Sequence, residues 1–151
     1  ALPTLVDCTD KDQQVEIALR AARGAGKTQS VAILVKDRAQ ERIFSSALGA
    51  NATRLHRDLQ VWNDGPGIYH GTYHAAKGLE FDVVILPFLD ADNLPDPDYI
   101  DSHGEEDGLT HDGRLLYVAV TRAKTSLILL YTGEITSLLP VDEALYQRVK
   151  P

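Results

Sequence analysis

The chain has 151 residues, 44% apolar and 25% charged, the size and make-up of one soluble globular domain. No apolar run nears the roughly 20 residues of a membrane-spanning helix, and the first eight residues lack the basic start and apolar stretch of a signal peptide. One cysteine, Cys8, excludes a disulfide framework or a cysteine-based zinc site, and the net charge of −7 argues on its face against nucleic acid.

A lone thiol makes a reducing, cytoplasmic setting the default. The negative charge is local. Residues 90–112 hold nine of the 22 acidic residues and no Lys or Arg, and the remainder carries a balance of +2. No methionine occurs, position 1 included, as expected of a fragment of a longer chain.

The first predicted element is a helix. Asp10 is its N-cap, with Gln13 three residues on as in a capping box. Val15, Ala18, Leu19 and Ala22 follow at helical spacing, and Gly24 is its stop. Val31-Ala32-Ile33-Leu34-Val35 is a continuous β-branched run and predicts a strand buried on both faces. Asp37 then caps a second helix whose buried face is Ala39, Ile43, Phe44, Ala47 and Leu48, ended by Gly49.

Further along, Thr53 to Leu55 predicts a short strand, residues 63–67 a turn, and Ile68 to Tyr73 a strand. A tight segment, Ala75 to Glu80, leads into a buried strand at Val83 to Leu86. The acidic stretch 90–112, with Pro95, Pro97, Gly104 and Gly108, reads as a loop. Leu115 to Ala123 predicts a helix, Leu127 to Tyr131 a last buried strand, and Val141 to Val149 a closing helix. Buried strands alternating with helices mean an α/β fold with a mostly parallel sheet.

Gly24-Ala25-Gly26-Lys27-Thr28 imitates the end of a phosphate-binding P-loop. The full pattern also needs glycine at position 21, which is alanine. In a P-loop a strand leads into a helix whose N-terminus faces the phosphates. Here a helix precedes the glycines and a strand follows them, so phosphates would meet the wrong end of the helix dipole. The segment reads as a helix-capping turn.

Two stretches concentrate functional groups: Thr72-Tyr73-His74-Ala75-Ala76-Lys77-Gly78-Leu79-Glu80-Phe81, and Leu116-Tyr117-Val118-Ala119-Val120-Thr121-Arg122-Ala123-Lys124. Taken separately, each also fits a plain structural role: Gly78 permitting a turn, Arg122 and Lys124 complementing a helix C-terminus. Taken together, the first resembles motif V and the second motif VI of the UvrD/Rep/PcrA-type superfamily 1 helicases. Val31 to Arg42 resembles their motif IV. The three occur in family order over residues 31–124.

The resemblance implies a RecA-like three-layer fold and identifies residues 1–151 as the second of two motor domains. The first domain, with the P-loop and the magnesium ligands, is not recognisable here. ATP with Mg2+ is the implied cofactor, bound between the two domains, and single-stranded DNA the implied partner. No metal ligand is assigned to this chain. By the resemblance Arg122 is the catalytic arginine that reaches the γ-phosphate, where a guanidinium offsets charge developing in phosphoryl transfer. Glu80 lies near the nucleotide sugar, Gly78 lets backbone approach the nucleotide, and Lys36 stands where the family has an ATP-contacting arginine. Lysine keeps that charge but loses the bidentate fork. Thr72 and His74 match the face that contacts DNA, and Lys77 is placed with them, though it could serve either ligand.

Only about 30 residues separate motifs IV and V, so the accessory domain that many members insert there is absent from this chain. The Gly78-Leu79-Glu80-Phe81 form favours the UvrD-like group and 3′ to 5′ movement. Two other readings stay open: a RecD-like or helicase–nuclease subunit, and a degenerate motor domain kept for protein interaction through its acidic stretch. That stretch is expected to point away from Thr72 and His74, since unpaired acids beside phosphates would repel them.

Overall fold

The computed structural model describes residues 2–55 and 65–151; Asn63 and Asp64 of the predicted turn lie outside the described residues. Among the described residues seven strands make one sheet: β1 (Thr4–Cys8), β2 (Ser30–Val35), β3 (Ala52–Arg54), β4 (Gly67–Thr72), β5 (Phe81–Leu86), β6 (Ala123–Thr132) and β7 (Gln147–Val149). Their order is β3-β4-β2-β5-β6-β1-β7, and every pairing is parallel. Among the described residues, four α-helices accompany them: α1 (Lys11–Ala25), α2 (Arg38–Leu48), α3 (Pro97–His103) and α4 (Glu105–Val120).

β2 shows why the layers form. All six of its residues are buried, and successive side chains point to opposite faces of the sheet. Val31, Ile33 and Val35 pack with Ala18 and Ala22 of α1 and Phe44 of α2. Ala32 and Leu34 enter the other core, with Leu116 and Ala119 of α4 and with Tyr73 and Ala76 of the β4–β5 connection. Helices on both faces of a parallel sheet make a three-layer α/β domain. Each large side chain so buried stabilises by about 1.5–3 kcal/mol.

The helix starts follow the sequence. Asp10 accepts the Gln13 N–H at 2.8 Å, and Asp37 accepts the Gln40 N–H at 2.9 Å. α1 runs through Gly24 to Ala25, and the Gly26 N–H closes it on the Ala22 carbonyl. The Gly-Lys-Thr segment therefore follows a helix C-terminus, as its reading as a capping turn requires. Gln14, fully buried on α1, accepts the Phe88 N–H at 2.7 Å and donates to Asp90 at 3.0 Å and Thr132 at 2.8 Å. It fastens α1 to the ends of β5 and β6.

The structure departs from the sequence reading at several points; on α2, Ala39, Ile43 and Ala47 are exposed, and Glu41 is buried with Phe44 and Leu48. The acidic stretch is not a loop: it forms α3 and the first half of α4, separated by Gly104 at φ +91°. Asp96 caps α3, and Glu105, Glu106 and Asp107 occupy the first turn of α4, where the helix dipole favours negative charge. Gly108 lets the two helices close, since a Cβ there would lie 2.6 Å from the Ile100 side chain. The stretch reaches the end of the neighbouring strand β2. Asp96 meets Lys36 there at 3.4 Å, and Asp112 lies close enough to Tyr73 to raise its pKa further, after burial. Asp90, Asp96 and Asp112 each accept a hydrogen bond from a donor in the fold, so the expected unpaired repulsion does not arise for them.

The closing helix is instead a single 3-10 turn at Glu143–Leu145 followed by β7, which adds to the free edge of β1. Arg148 anchors it with both guanidinium branches, to Glu143 at 2.6 and 3.1 Å and to the Tyr131 hydroxyl at 2.7 Å. β1 itself carries no sequence signal, and α4 stops at Val120, three residues before the predicted end. Cys8 is buried at the end of β1, and its thiol is pushed up to about 11, first by burial and then by Asp7, Asp90 and Asp10.

A buried polar pair joins α2 to the sheet. Glu41 and His70 are almost wholly enclosed, 2.8 Å apart. Glu41→Ala leaves a buried imidazole without its partner and should cost about 2 kcal/mol in urea unfolding. Arg20→Ala, which breaks an exposed α1 pair with Glu16, should change stability by less than about 0.5 kcal/mol.

Candidate functional site

The parallel sheet sorts the motif residues by strand end. β4 ends at Thr72, level with Val35 at the end of β2. β5 begins at Phe81, level with Ala123 at the start of β6. The chain between Thr72 and Phe81 therefore crosses the sheet from its C-terminal edge to its N-terminal edge. Tyr73 and Ala76 are buried against the core, and a 3-10 turn at His74–Ala76 shortens the path. Thr72 Oγ1 accepts the Ala75 N–H at 3.3 Å and starts that turn.

At the N-terminal edge three of the candidate residues meet. Arg122 directly follows the C-cap of α4. Its Nε donates to the Val118 carbonyl at 3.0 Å, one terminal nitrogen donates to the Leu79 carbonyl at 3.2 Å, and the other to Thr121 Oγ1 at 3.1 Å. The Arg122 carbonyl in turn accepts the Phe81 N–H at 2.8 Å. Gly78 and Glu80 flank Leu79. Gly78 sits at φ +86°, a conformation that side-chain-bearing residues rarely adopt, with open space where a Cβ would be. Glu80 is exposed.

Beside them lies a set the sequence reading did not single out. Asp82 accepts the Ser30 N–H at 3.0 Å and the Ser30 hydroxyl at 3.3 Å, and faces Lys124 at 3.7 Å. The backbone N–H of Ser30 is the main cause that holds this carboxyl below its ordinary range, with Lys124 adding to it and burial opposing it. Nothing in the order of residues links position 30 to position 82; only the β2–β5 register does.

Thr72 and His74 lie at the opposite edge, with His74 exposed, and Lys77 is exposed on the connection between the two groups. Lys36 is not brought to Arg122 and Glu80. It leaves β2 at the C-terminal edge, donating to the Asn93 carbonyl at 3.1 Å and pairing with Asp96 at 3.4 Å. From the strand register that edge is roughly 20 Å from Arg122, so the expected sharing of one phosphate site is not present in this structure. Among the described residues no cluster of three or more His, Cys, Asp or Glu could hold a metal ion. No helix there is long and apolar enough to cross a membrane.

A three-layer parallel domain with an arginine behind one strand-to-strand crossover and a hydroxyl and imidazole before it has the architecture of a RecA-like helicase C-terminal domain. The model of the UvrD-like helicase C-terminal domain family matches residues 51–134, more than half of the chain. The chain belongs to that family.

Among curated relatives, a probable DNA helicase II homolog of Rickettsia conorii is 44% identical over 77 residues, 51% of this chain and 12% of the relative. The ATP-dependent DNA helicase PcrA of Leuconostoc citreum is 41% identical over 78 residues, 51% of this chain and 10% of the relative. The matched part thus spans about a tenth of these relatives. The crystal structure of the C-terminal domain of a possible DNA helicase from Lactobacillus plantarum superposes with a TM-score of 0.69 at 26% identity, covering 98% of this chain and 85% of that one. The C-terminal domain of the DEAD-box protein Dbp5, at 14% identity and TM-score 0.56, covering 99% of this chain and 89% of that one, shares the fold.

The Asp82 carboxylate contributes stability that is complete above its unfolded value, near pH 4, and is lost as pH falls through its depressed folded value. Asp82→Asn should therefore flatten the fall in Tm below about pH 4 and change the shape of the curve little above it. Thermal melts across pH 2–7 would show this.

Proposed function

We propose that this chain is the C-terminal motor domain of an ATP-dependent DNA helicase of the UvrD-like group, moving 3′ to 5′ along single-stranded DNA. The observation that carries the reading is the Thr72–Phe81 crossover, whose two ends present two different kinds of group. One end offers the Thr72 hydroxyl and the His74 imidazole, suited to a phosphate backbone. The other offers Gly78, Glu80 and, fastened to Leu79, Arg122, suited to a nucleotide.

The residues present fit an ATP molecule on one side only. Glu80, exposed, would accept hydroxyls of the ribose, and the open space at Gly78 would let a nucleotide come close to backbone. Arg122, directly before β6, would supply a guanidinium to the terminal phosphate. In this structure its guanidinium rests on three internal acceptors, so engaging phosphate means exchanging them for charged oxygens, which bind a guanidinium more strongly than carbonyls do. The magnesium ion that accompanies ATP neutralises phosphate charge when bound. The donors here do not make a site for it, and its ligands are assigned to the first motor domain.

Arg122 and the crossover are hydrogen-bonded to each other through Leu79. A shift of Arg122 toward phosphate therefore releases one fastening of the crossover, and the movement reaches Thr72 and His74 along the same eight-residue connection. This couples hydrolysis to a step on the strand. With half a nucleotide site, the isolated chain hydrolyses no ATP, and measurable turnover in a pure preparation would refute the assignment. In a chain that includes the first motor domain, Arg122→Ala should lower kcat about 10³-fold, with single-stranded DNA affinity kept. An unchanged kcat would remove Arg122 from the reaction.

A further inference from the structure

We propose that Arg38 and Arg54, gathered by the buried carboxylate of Glu41, form a further phosphate-binding station for single-stranded DNA beside Thr72 and His74. This rests on the reading of the chain as a DNA motor domain and extends its track to two residues outside motifs V and VI. Arg38 opens α2 and Arg54 closes β3. Both guanidiniums approach the same oxygen, Glu41 Oε1, at 3.0 and 3.8 Å. The other oxygen, Oε2, lies 2.8 Å from His70 Nδ1 in the interior.

Several features distinguish this from an incidental surface ion pair. Glu41 is only 3% exposed, while Arg38 and Arg54 are 50% and 46% exposed, so the carboxylate is an internal anchor and the guanidiniums face outward. Among the described residues, the two guanidiniums converge on a single carboxylate oxygen. The nearest other acid in sequence, Asp37, has its Oδ1 engaged by the Gln40 N–H. An anchored guanidinium also loses less side-chain freedom on binding, and its planar fork matches the geometry of phosphate oxygens.

Placement points to the ligand. Arg54 is directly opposite His70 on β4, two residues before Thr72, and Thr72 is opposite Val35, three residues before Arg38. The pair and the Thr72–His74 group thus lie on adjacent strands of one sheet edge, separated by about 7 Å along a strand and about 5 Å per strand across it. A single strand held by Thr72 and His74 at the end of β4 runs past this edge and meets the two arginines with its next phosphates. Lys36, on the same edge, is spent on Asp96 and Asn93 and adds little.

The test is the salt dependence of binding of a fluorescein-labelled oligothymidylate to this chain, read by anisotropy. Removing one arginine–phosphate interaction should reduce the slope of log K against log salt by about 0.7. Arg38→Gln and Arg54→Gln should each show that reduction, and Arg38→Lys and Arg54→Lys should restore the slope, because lysine keeps the charge. Arg20→Gln, in an exposed pair on α1, should leave it unchanged. Thermal melts identify any variant that fails to fold, and the lysine variants then decide, since a reduced slope with charge retained refutes binding of phosphate by that residue. Wild-type slopes in both glutamine variants, with binding weakened by Thr72→Ala or His74→Ala, would overturn this inference and leave the motor-domain reading standing. No binding by the wild-type chain at low salt would overturn both.

Discussion

Parallel strands cannot be joined by tight turns, so every connection in this sheet must travel back along its length. The β1–β2, β2–β3 and β5–β6 connections do so through α-helices. The β4–β5 connection does so with a single 3-10 turn and eight residues between Thr72 and Phe81, packed under α4 by Tyr73 and Ala76. A nearly extended path this short has little slack. It ties a residue at one edge of the sheet to a residue at the other, and it forces the chemistry before β5 to lie beside whatever precedes β6. The Arg122–Leu79 hydrogen bond and the Phe81–Arg122 backbone bond follow from that adjacency.

The same constraint explains how an acidic chain carries a cationic edge. The acidic residues of 96–112 serve the helices: capping α3, filling first turns, and joining one helix to the next through Asp112 and the Asp96 N–H. Lys36 is drawn into that network. Arg38 and Arg54, on the far side of β2 from β5, answer instead to Glu41, which stands in the opposite helical layer. Net charge is a poor guide here because the two networks share a sheet edge but not their partners.

The sequence made legible what depends on near neighbours. β2 and β5 announced themselves as continuous apolar runs because both their faces are covered, and Asp10 and Asp37 marked helix starts because a cap and its N–H lie three residues apart. Motif order singles out Arg122, Gly78 and Glu80, and the structure sets all three around Leu79. What depends on distant partners was hidden. β1 and β7 are strands only because β6 and β1 offer them an edge. The acidic segment reads as a loop from its prolines and glycines, yet Gly104 and Gly108 serve a helix break and a close helix contact. Lys36 was assigned by its motif position alone, and its Asp96 partner sits sixty residues away. The Glu41–His70 pair gave no signal beyond a glutamate on the buried side of α2, one turn from Phe44.

Cys8 offers a practical handle of a kind unrelated to catalysis. It is the sole cysteine of the chain, enclosed at the end of β1 and kept as the thiol at neutral pH. Since the thiolate is the form that reacts, maleimide chemistry passes over the native protein. A cysteine placed at an exposed position, such as that of Lys77 midway along the crossover, would then be the one site to take up a fluorophore or spin label. The background is already silent, so the motion of that connection can be followed without first stripping the chain of a native residue.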